Sequence, residues 1–478
     1  MSKIELTLEQ KQGYAHKPGK QIRIFPFVSN PGADRLSEDL KSFQGVVGEV
    51  FRSHHQKGLL KDLEASETFH ERLKQTILNA ALAQVETDVP HDLRRILTDL
   101  FFTEKDNLVK FHTETLCYLN FVSAEGALKN LGKFMSDVFF SSSSLENSFS
   151  EEEDNLLNKL MLDSLPPLPN ISKSKDIPHI NLLPQLIEQF NADFDLLKNS
   201  KELFLKHIED LSKFYFFQYF SQVLINFKSF GQKQISITPI SFSLEWEILS
   251  NSRLNSHTIS WKNNLSNYCL STFVHANVLE LLNHIYVDDI QIKDYHNIKN
   301  VYNCLDQAGK DEMENAIKQV CKIYTNSITN FYPGSSWENC MEKLAIDLEL
   351  QTFDNKCGKL IYELWYKVKY QFDNSDRHAA DIRYVSWFFK FCQNNFLKHR
   401  GRLGNTLTMN QEILLFLTRL CVGNNDKIRL KLLWHEFEKR GVHFDETSKS
   451  EIVKLYEKIN LIEKKSDSGD AQYVKAII

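Results

Sequence analysis

The residues best suited by type and spacing to chemistry with a nucleic acid are five lysines near the C-terminal end: Lys449, Lys454, Lys458, Lys464 and Lys465. The first three, with Ser450, recur on the outward side of a helical pattern whose inward side carries Ile452, Leu455, Tyr456 and Ile459. Ammonium groups so arranged grip phosphates. Catalytic chemistry is far less legible. A metal-dependent nuclease needs clustered carboxylates with a Lys or His to hold the ion and orient water. The nearest spacing, Asp347-Leu348-Glu349, lies in a helical pattern after Leu344-Ala345-Ile346 and reads as a solvated helix face. His54-His55 and His112 lack partners at metal-ligand spacing. His378 has Asp376 and Asp381 near it in sequence, which does not make them converge. His16-Lys17-Pro18-Gly19-Lys20 lacks the glycine spacing and following hydroxyl of a phosphate loop, so it reads as a turn. No nucleophile-elbow, zinc-protease, Walker or kinase signature occurs. The expectation is a protein that is not an enzyme and holds no cofactor or metal.

The lysines belong to residues 403–478, which read as three helices and a β-hairpin. Thr408-Met409-Asn410-Gln411 has capping-box spacing, and Ile413, Phe416, Leu417, Leu420 and Cys421 follow at helical intervals before Gly423-Asn424-Asn425. Leu430, Leu433, Trp434 and Phe437 mark a second helix, closed by Lys439-Arg440-Gly441. Ser448 to Glu451 is a second capping-box pattern and opens the third helix. Leu461 to Lys465 and Gln472 to Lys475 are strands around the turn Ser466-Asp467-Ser468-Gly469-Asp470. This chain order predicts a winged helix, a fold that usually offers its third helix to the major groove. From Lys398 onward there are 15 Lys and Arg against 11 Asp and Glu, a balance of +4 on a chain whose total is -5. A modestly basic tail on an acidic body suits DNA, whereas Asp467 and Asp470 at the wing tip oppose phosphate. Contact with protein rather than DNA stays open.

The rest predicts a mainly α, multi-helical body with minor β elements. Only 17 Gly and 11 Pro among 478 residues favour long helices, and 34 Phe supply bulky core. Residues 1–140 form an arm and a helical domain: Gln21 to Phe27 is a short strand or extended arm, free to dock on a partner or return to the body. Amphipathic runs follow, including Leu59, Leu60 and Leu63, then Leu93, Ile96, Leu97 and Leu100, then Leu108 to Leu119. Residues 141–180 read as an acidic, Pro-containing linker with a helix near Asn155 to Leu162. Residues 181–402 form a central helical domain, with alternation at Gln234 to Ile240 marking one or two strands. Phe214 to Phe220 is either a stacking platform for bases or, with so few basic residues interleaved, a buried helix. The aromatic run from Tyr362 to Phe391, interleaved with Lys367, Lys369, Arg377, Arg383 and Lys390, is the body's best nucleic-acid surface or a packed core. Lys398 to Gly404 reads as a basic joint into the winged helix. The eight cysteines form no CxxC pair, no apolar run reaches membrane length and no signal-peptide core is present. The expected compartment is a reducing cytoplasm, away from membranes.

The run from Lys464 to Lys475, directly after Tyr456-Glu457-Lys458-Ile459-Asn460-Leu461, resembles the end of the DptG family of DNA-phosphorothioation-dependent restriction proteins. The resemblance is specific over about the last 75 residues. It implies a non-catalytic scaffold subunit of a bacterial phage-defence complex, working with ATPase-type partner subunits on double-stranded DNA that lacks the phosphorothioate mark. It brings no catalytic residues with it. Two other classes compete: a divergent metal-dependent nuclease built from scattered carboxylates, and a winged-helix transcriptional regulator.

Overall fold

A computed structural model describes residues 3–8, 16–27, 37–59, 69–104, 107–119, 126–141, 156–172, 176–248, 259–401, 404–464 and 472–477. It is mainly helical with small sheets. The long helix Lys201–Phe227 runs through the middle. Ser200 caps it by accepting a hydrogen bond from the Leu203 amide. Every residue from Phe214 to Leu224 is buried, polar ones included. A helix apolar on all sides must be covered on all sides, and here five others supply rings to it. Phe388 and Phe391 of Arg377–Asn395 meet Phe220 at 4.1 Å and Phe216 at 5.0 Å. Phe190 of Pro184–Leu197 lies 5.3 Å from Tyr215. Phe134 of Gly126–Val138 lies 5.7 Å from Tyr219, and Tyr295 of Tyr295–Cys304 lies 5.0 Å from Phe227. Phe51 of Gln44–His54 meets Phe204 near the helix start. The aromatic run at 214–220 is therefore core, and no stacking platform is exposed there. The later run is core as well: Tyr362, Tyr384, Trp387, Phe388 and Phe391 are buried.

One apolar core continues from Ile22 to Val474. A second, small one joins the helices Phe69–Ala83, Pro90–Phe101 and Leu156–Asp163 through Leu73, Ile77, Leu97, Phe101 and Met161. On the middle helix of that group Leu97 and Phe101 turn inward, while Ile96 and Leu100 are 50% and 46% exposed. The expected stripe is rotated because packing selects the pair four residues apart. Leu108 to Leu119 is not an α-helix: only a 3-10 turn forms, Thr113–Tyr118, its start capped by the His112 ring. Leu59 follows a helix rather than beginning one, and Leu60 and Leu63 lie outside the described residues.

The N-terminal arm returns to the body. Its strand is Ile4–Leu6, paired antiparallel with Ile285–Val287, and not Gln21 to Phe27. The latter stretch is extended with a single bridge, Arg23 to His179, and buries Ile22, Ile24, Phe25 and Phe27 on both sides. The turn before it aims the amides of Gly19, Lys20 and Gln21 at the Glu280 carboxylate, at 2.8 to 3.3 Å. Successive amides make an anion cradle, and this one is filled by the chain's own carboxylate. Gln234 to Thr238 forms no strand because the amide side chains of Gln222 and Asn226 take the place of a neighbour. Gln222 pairs with both backbone groups of Thr238 and Asn226 with those of Ser236. The proline run of the expected linker is tied down too, by Tyr118 to the Pro166 carbonyl and Gly58 to the Pro169 carbonyl. All eight cysteines are free, and six are buried. Among the described residues no helix is long and apolar enough to cross a membrane.

Truncating the hub tests this arrangement. Phe217 is fully buried between Phe242, Phe388 and Phe396. Phe217→Ala is expected to cost about 3–5 kcal/mol in urea unfolding; a cost under ~1 kcal/mol would mean the helix is not the hub.

Candidate nucleic-acid interface

The C-terminal unit starts from a hairpin, Leu397–His399 with Asn405–Met409. Its turn is not a loose basic joint. Arg400 donates to the Glu247 and Leu244 carbonyls and to Thr406 Oγ1, and Lys398 donates to the Glu245 carbonyl. Arg402 and Leu403 lie outside the described residues. The helix Gln411–Val422 is capped by Asn410, which accepts from the Ile413 amide, and not by Thr408. Thr408 is instead a strand residue in parallel register with Ser243. The helix closes at Gly423 with φ 62°, as its sequence anticipates.

An unforeseen strand, Lys427–Arg429, precedes the second helix, Leu430–Lys439. The third helix, Glu446–Lys458, is capped by Asp445, while Ser448 lies buried in its first turn. Its inward side holds Ile452 and Tyr456, but Ile459, just past its end, is 38% exposed. The strands Ile462–Lys464 and Gln472–Lys475 form the expected hairpin, and the sheet order is 462–464, 472–475, 427–429, all antiparallel.

Three contacts seat this unit on the body. Arg440, at the end of the second helix, makes a two-pronged pair with Asp193 at 2.8 and 2.6 Å. Tyr215 donates to the same carboxylate at 2.5 Å, and both charged side chains are under 5% exposed. Gln218 donates to the carbonyl of Gly441, whose φ of 77° and 2.5 Å Cβ clearance to Gln218 exclude a side chain there. The turn into the third helix is covered: Val442–His443 pairs in parallel with Ile240–Ser241, and Ser448 Oγ donates to the buried Glu247 at 3.0 Å.

That seating decides what the predicted lysines can do. A helix that reads the major groove presents its first turn to base edges, and here that turn gives Ser448 to the body and leaves an acid, Glu446, exposed. The lysines along it are also matched by acids. Lys449 pairs with Glu446 at 2.8 Å and lies over the Trp434 ring; Lys454 pairs with Glu451 at 2.7 Å. Lys464 pairs with Glu457 at 2.7 Å. Exposed pairs of this kind are weak, yet the glutamates stay in place to repel a phosphate. Lys458 is exposed with no ion pair among the described residues. Lys465, Asp467 and Asp470 lie outside the described residues. Two cations that the helical pattern does not point to, Arg429 and Lys475, stand on the outer face of the sheet. The strand of Arg429 is three residues long, too short for alternation to be recognised.

The scattered candidates for chemistry stay apart. Asp347 accepts from the Tyr362 hydroxyl at 2.6 Å on its helix face. His54 and His55 stack edge to face. His378 is exposed, 3.9 Å from Asp373, whereas Asp381 is buried. Among the described residues no three His, Cys, Asp or Glu side chains gather as a metal-holding group. No known family model matches the chain, and no curated protein matches it significantly.

Two expectations follow from these environments. Arg440→Met leaves Asp193 buried without its counter-charge and is expected to cost about 3–5 kcal/mol in denaturant unfolding; a cost below ~1 kcal/mol would show that the pair does not hold the unit. Burial pushes the Asp381 carboxyl up to about 7, against the pull of Lys369 and with the help of Asp373, and its Oδ1 has no hydrogen-bond partner. A carboxyl raised on folding binds its proton more tightly in the native state. It therefore weakens the fold as pH rises from the ordinary aspartate value towards about 7, and the loss is complete above that. Asp381→Asn should raise stability at pH ~8 by a few kcal/mol, change little at pH ~4, and flatten the slope between. Equal effects at both ends would refute the assignment.

Proposed function

We propose that this chain is a non-catalytic scaffold subunit of a bacterial DNA restriction complex of the DptG type. Its C-terminal unit is a winged helix that contacts DNA, and its helical body binds ATPase-type partner subunits. The observation that carries the winged-helix reading is strand order. The sequence runs helix, strand, helix, a two-residue strand paired with the body, helix, strand, strand, and the strand between the first two helices pairs with the last one. That closure, with the hairpin following directly on the third helix, supports a wing. The scaffold reading draws support from the mount. A unit keyed into the body by a buried ion pair, two parallel strand pairings and a buried serine moves with the body, not on a flexible tether. The restriction context rests on the resemblance of the last 75 or so residues.

Affinity capture of the tagged full chain from its host, with nuclease digestion and mass spectrometry, tests the assembly. ATPase subunits retained in fixed proportion after digestion are the expected result. Recovery of the chain alone, or of partners only through DNA, would favour an autonomous winged-helix regulator. The purified chain is further expected to leave duplex DNA intact with Mg²⁺ or Mn²⁺; metal-dependent cuts would favour the nuclease reading.

A further inference from the structure

The outward face of the C-terminal sheet is cationic in a way the third helix is not. Successive strand residues face opposite ways. Ile428 and Val474 turn inward and are buried. Lys427, Arg429, Tyr473, Lys475 and Glu463 therefore share the other face. Register sets Tyr473 between Arg429 and Glu463, and Lys475 opposite Lys427. Lys427 holds both Glu463 oxygens at 2.8 Å and lies 5.6 Å over the Tyr473 ring, so that pair is self-neutralised. Arg429 and Lys475 have no ion pair among the described residues. Exposed Lys431 follows on the first turn of the second helix, and exposed Asp426 is the other acid at this edge.

We infer that this sheet face, centred on Arg429 and Lys475, is where the chain meets duplex DNA, through phosphates rather than base edges. The inference rests on the DNA-contact reading above and moves the contact away from the third helix. Charge complementarity carries it. Phosphate contact by Lys449, Lys454 or Lys464 must first break a glutamate pair, which leaves the third helix one unpaired lysine, Lys458, among the described residues, whereas Arg429 and Lys475 stand on one face and engage without displacing anything. Arg429 also offers the planar fork that fits phosphate. Arg429 is exposed on this face, and the body's strand pairs instead with Val442–His443, ahead of the third helix. Strands of three or four residues with one ring and two cations unpaired among the described residues supply no array for reading bases, so binding of this kind is indifferent to sequence.

The test is fluorescence anisotropy of a short labelled duplex with the full chain across a salt series. Each phosphate contact contributes about 0.9 to the slope of log K against log salt. Arg429→Ala with Lys475→Ala is expected to flatten that slope by about 2, and Arg429→Lys with Lys475→Arg to restore it. Should the alanine pair lower the melting temperature, Lys475→Gln alone, expected to flatten the slope by about 1, carries the test. An unchanged slope, or a loss confined to Lys454→Ala with Lys458→Ala, overturns this inference and leaves the DNA-contact reading standing. Equal affinity for single-stranded RNA overturns the duplex assignment. No binding by the unaltered chain overturns both.

Discussion

A carboxylate and a guanidinium, both taken almost wholly out of water, join the two ends of this molecule's logic. Asp193 and Arg440 are 247 positions apart and meet at 2.6 and 2.8 Å beside the Tyr215 hydroxyl. Desolvating two charges is costly, and close geometry with further hydrogen bonds is what offsets it. Here Arg440 also reaches the Glu436 side chain and the Leu420 carbonyl. An apolar contact could slide, but a two-pronged pair admits one orientation. The C-terminal unit is therefore set at one angle to the central helix, and that angle decides which of its faces are open.

The same angle separates what the third helix offers chemically from what it can reach. Its first turn gives Ser448 to the body and exposes Glu446, and the strand just before it is paired with the body. Its lysines sit among glutamates at close range. What remains open is the outer sheet face, where Arg429 and Lys475 lack such neighbours. Burial elsewhere has a parallel effect. Aromatic and basic residues interleaved over 362–391 invite a nucleic-acid reading, yet the rings there are core, and Lys367 points its ammonium to within 3.2 Å of the Cys321 sulfur.

Much of this protein was legible in the residues alone. Helical class follows from few glycines and prolines and from apolar spacing. The buried character of Phe214 to Phe220 follows from aromatics without interleaved charge. The C-terminal hairpin follows from its turn residues and flanking strands. These are local properties, set within one or two turns of chain. Cap positions were legible only to within two or three residues: Asn410 and Asp445 cap where Thr408 and Ser448 were expected. Hydroxyl caps compete with carboxamide and carboxylate caps, and strand pairing of Thr408 and the Glu247 contact of Ser448 settled the competition.

What only the tertiary structure decided is everything that depends on residues far apart in sequence. The short strand Lys427–Arg429 exists because Gln472–Lys475 pairs with it. The extended stretch at 234–238 stays out of a sheet because two helix amides stand in for a neighbour. Arg440 reads as a helix-end cation until Asp193 arrives, and the amides of Gly19 to Gln21 read as a plain turn until Glu280 fills them. Spacing along one segment sets which residues share a side of it. Whether that side meets water, a carboxylate or another helix is set by partners hundreds of positions away.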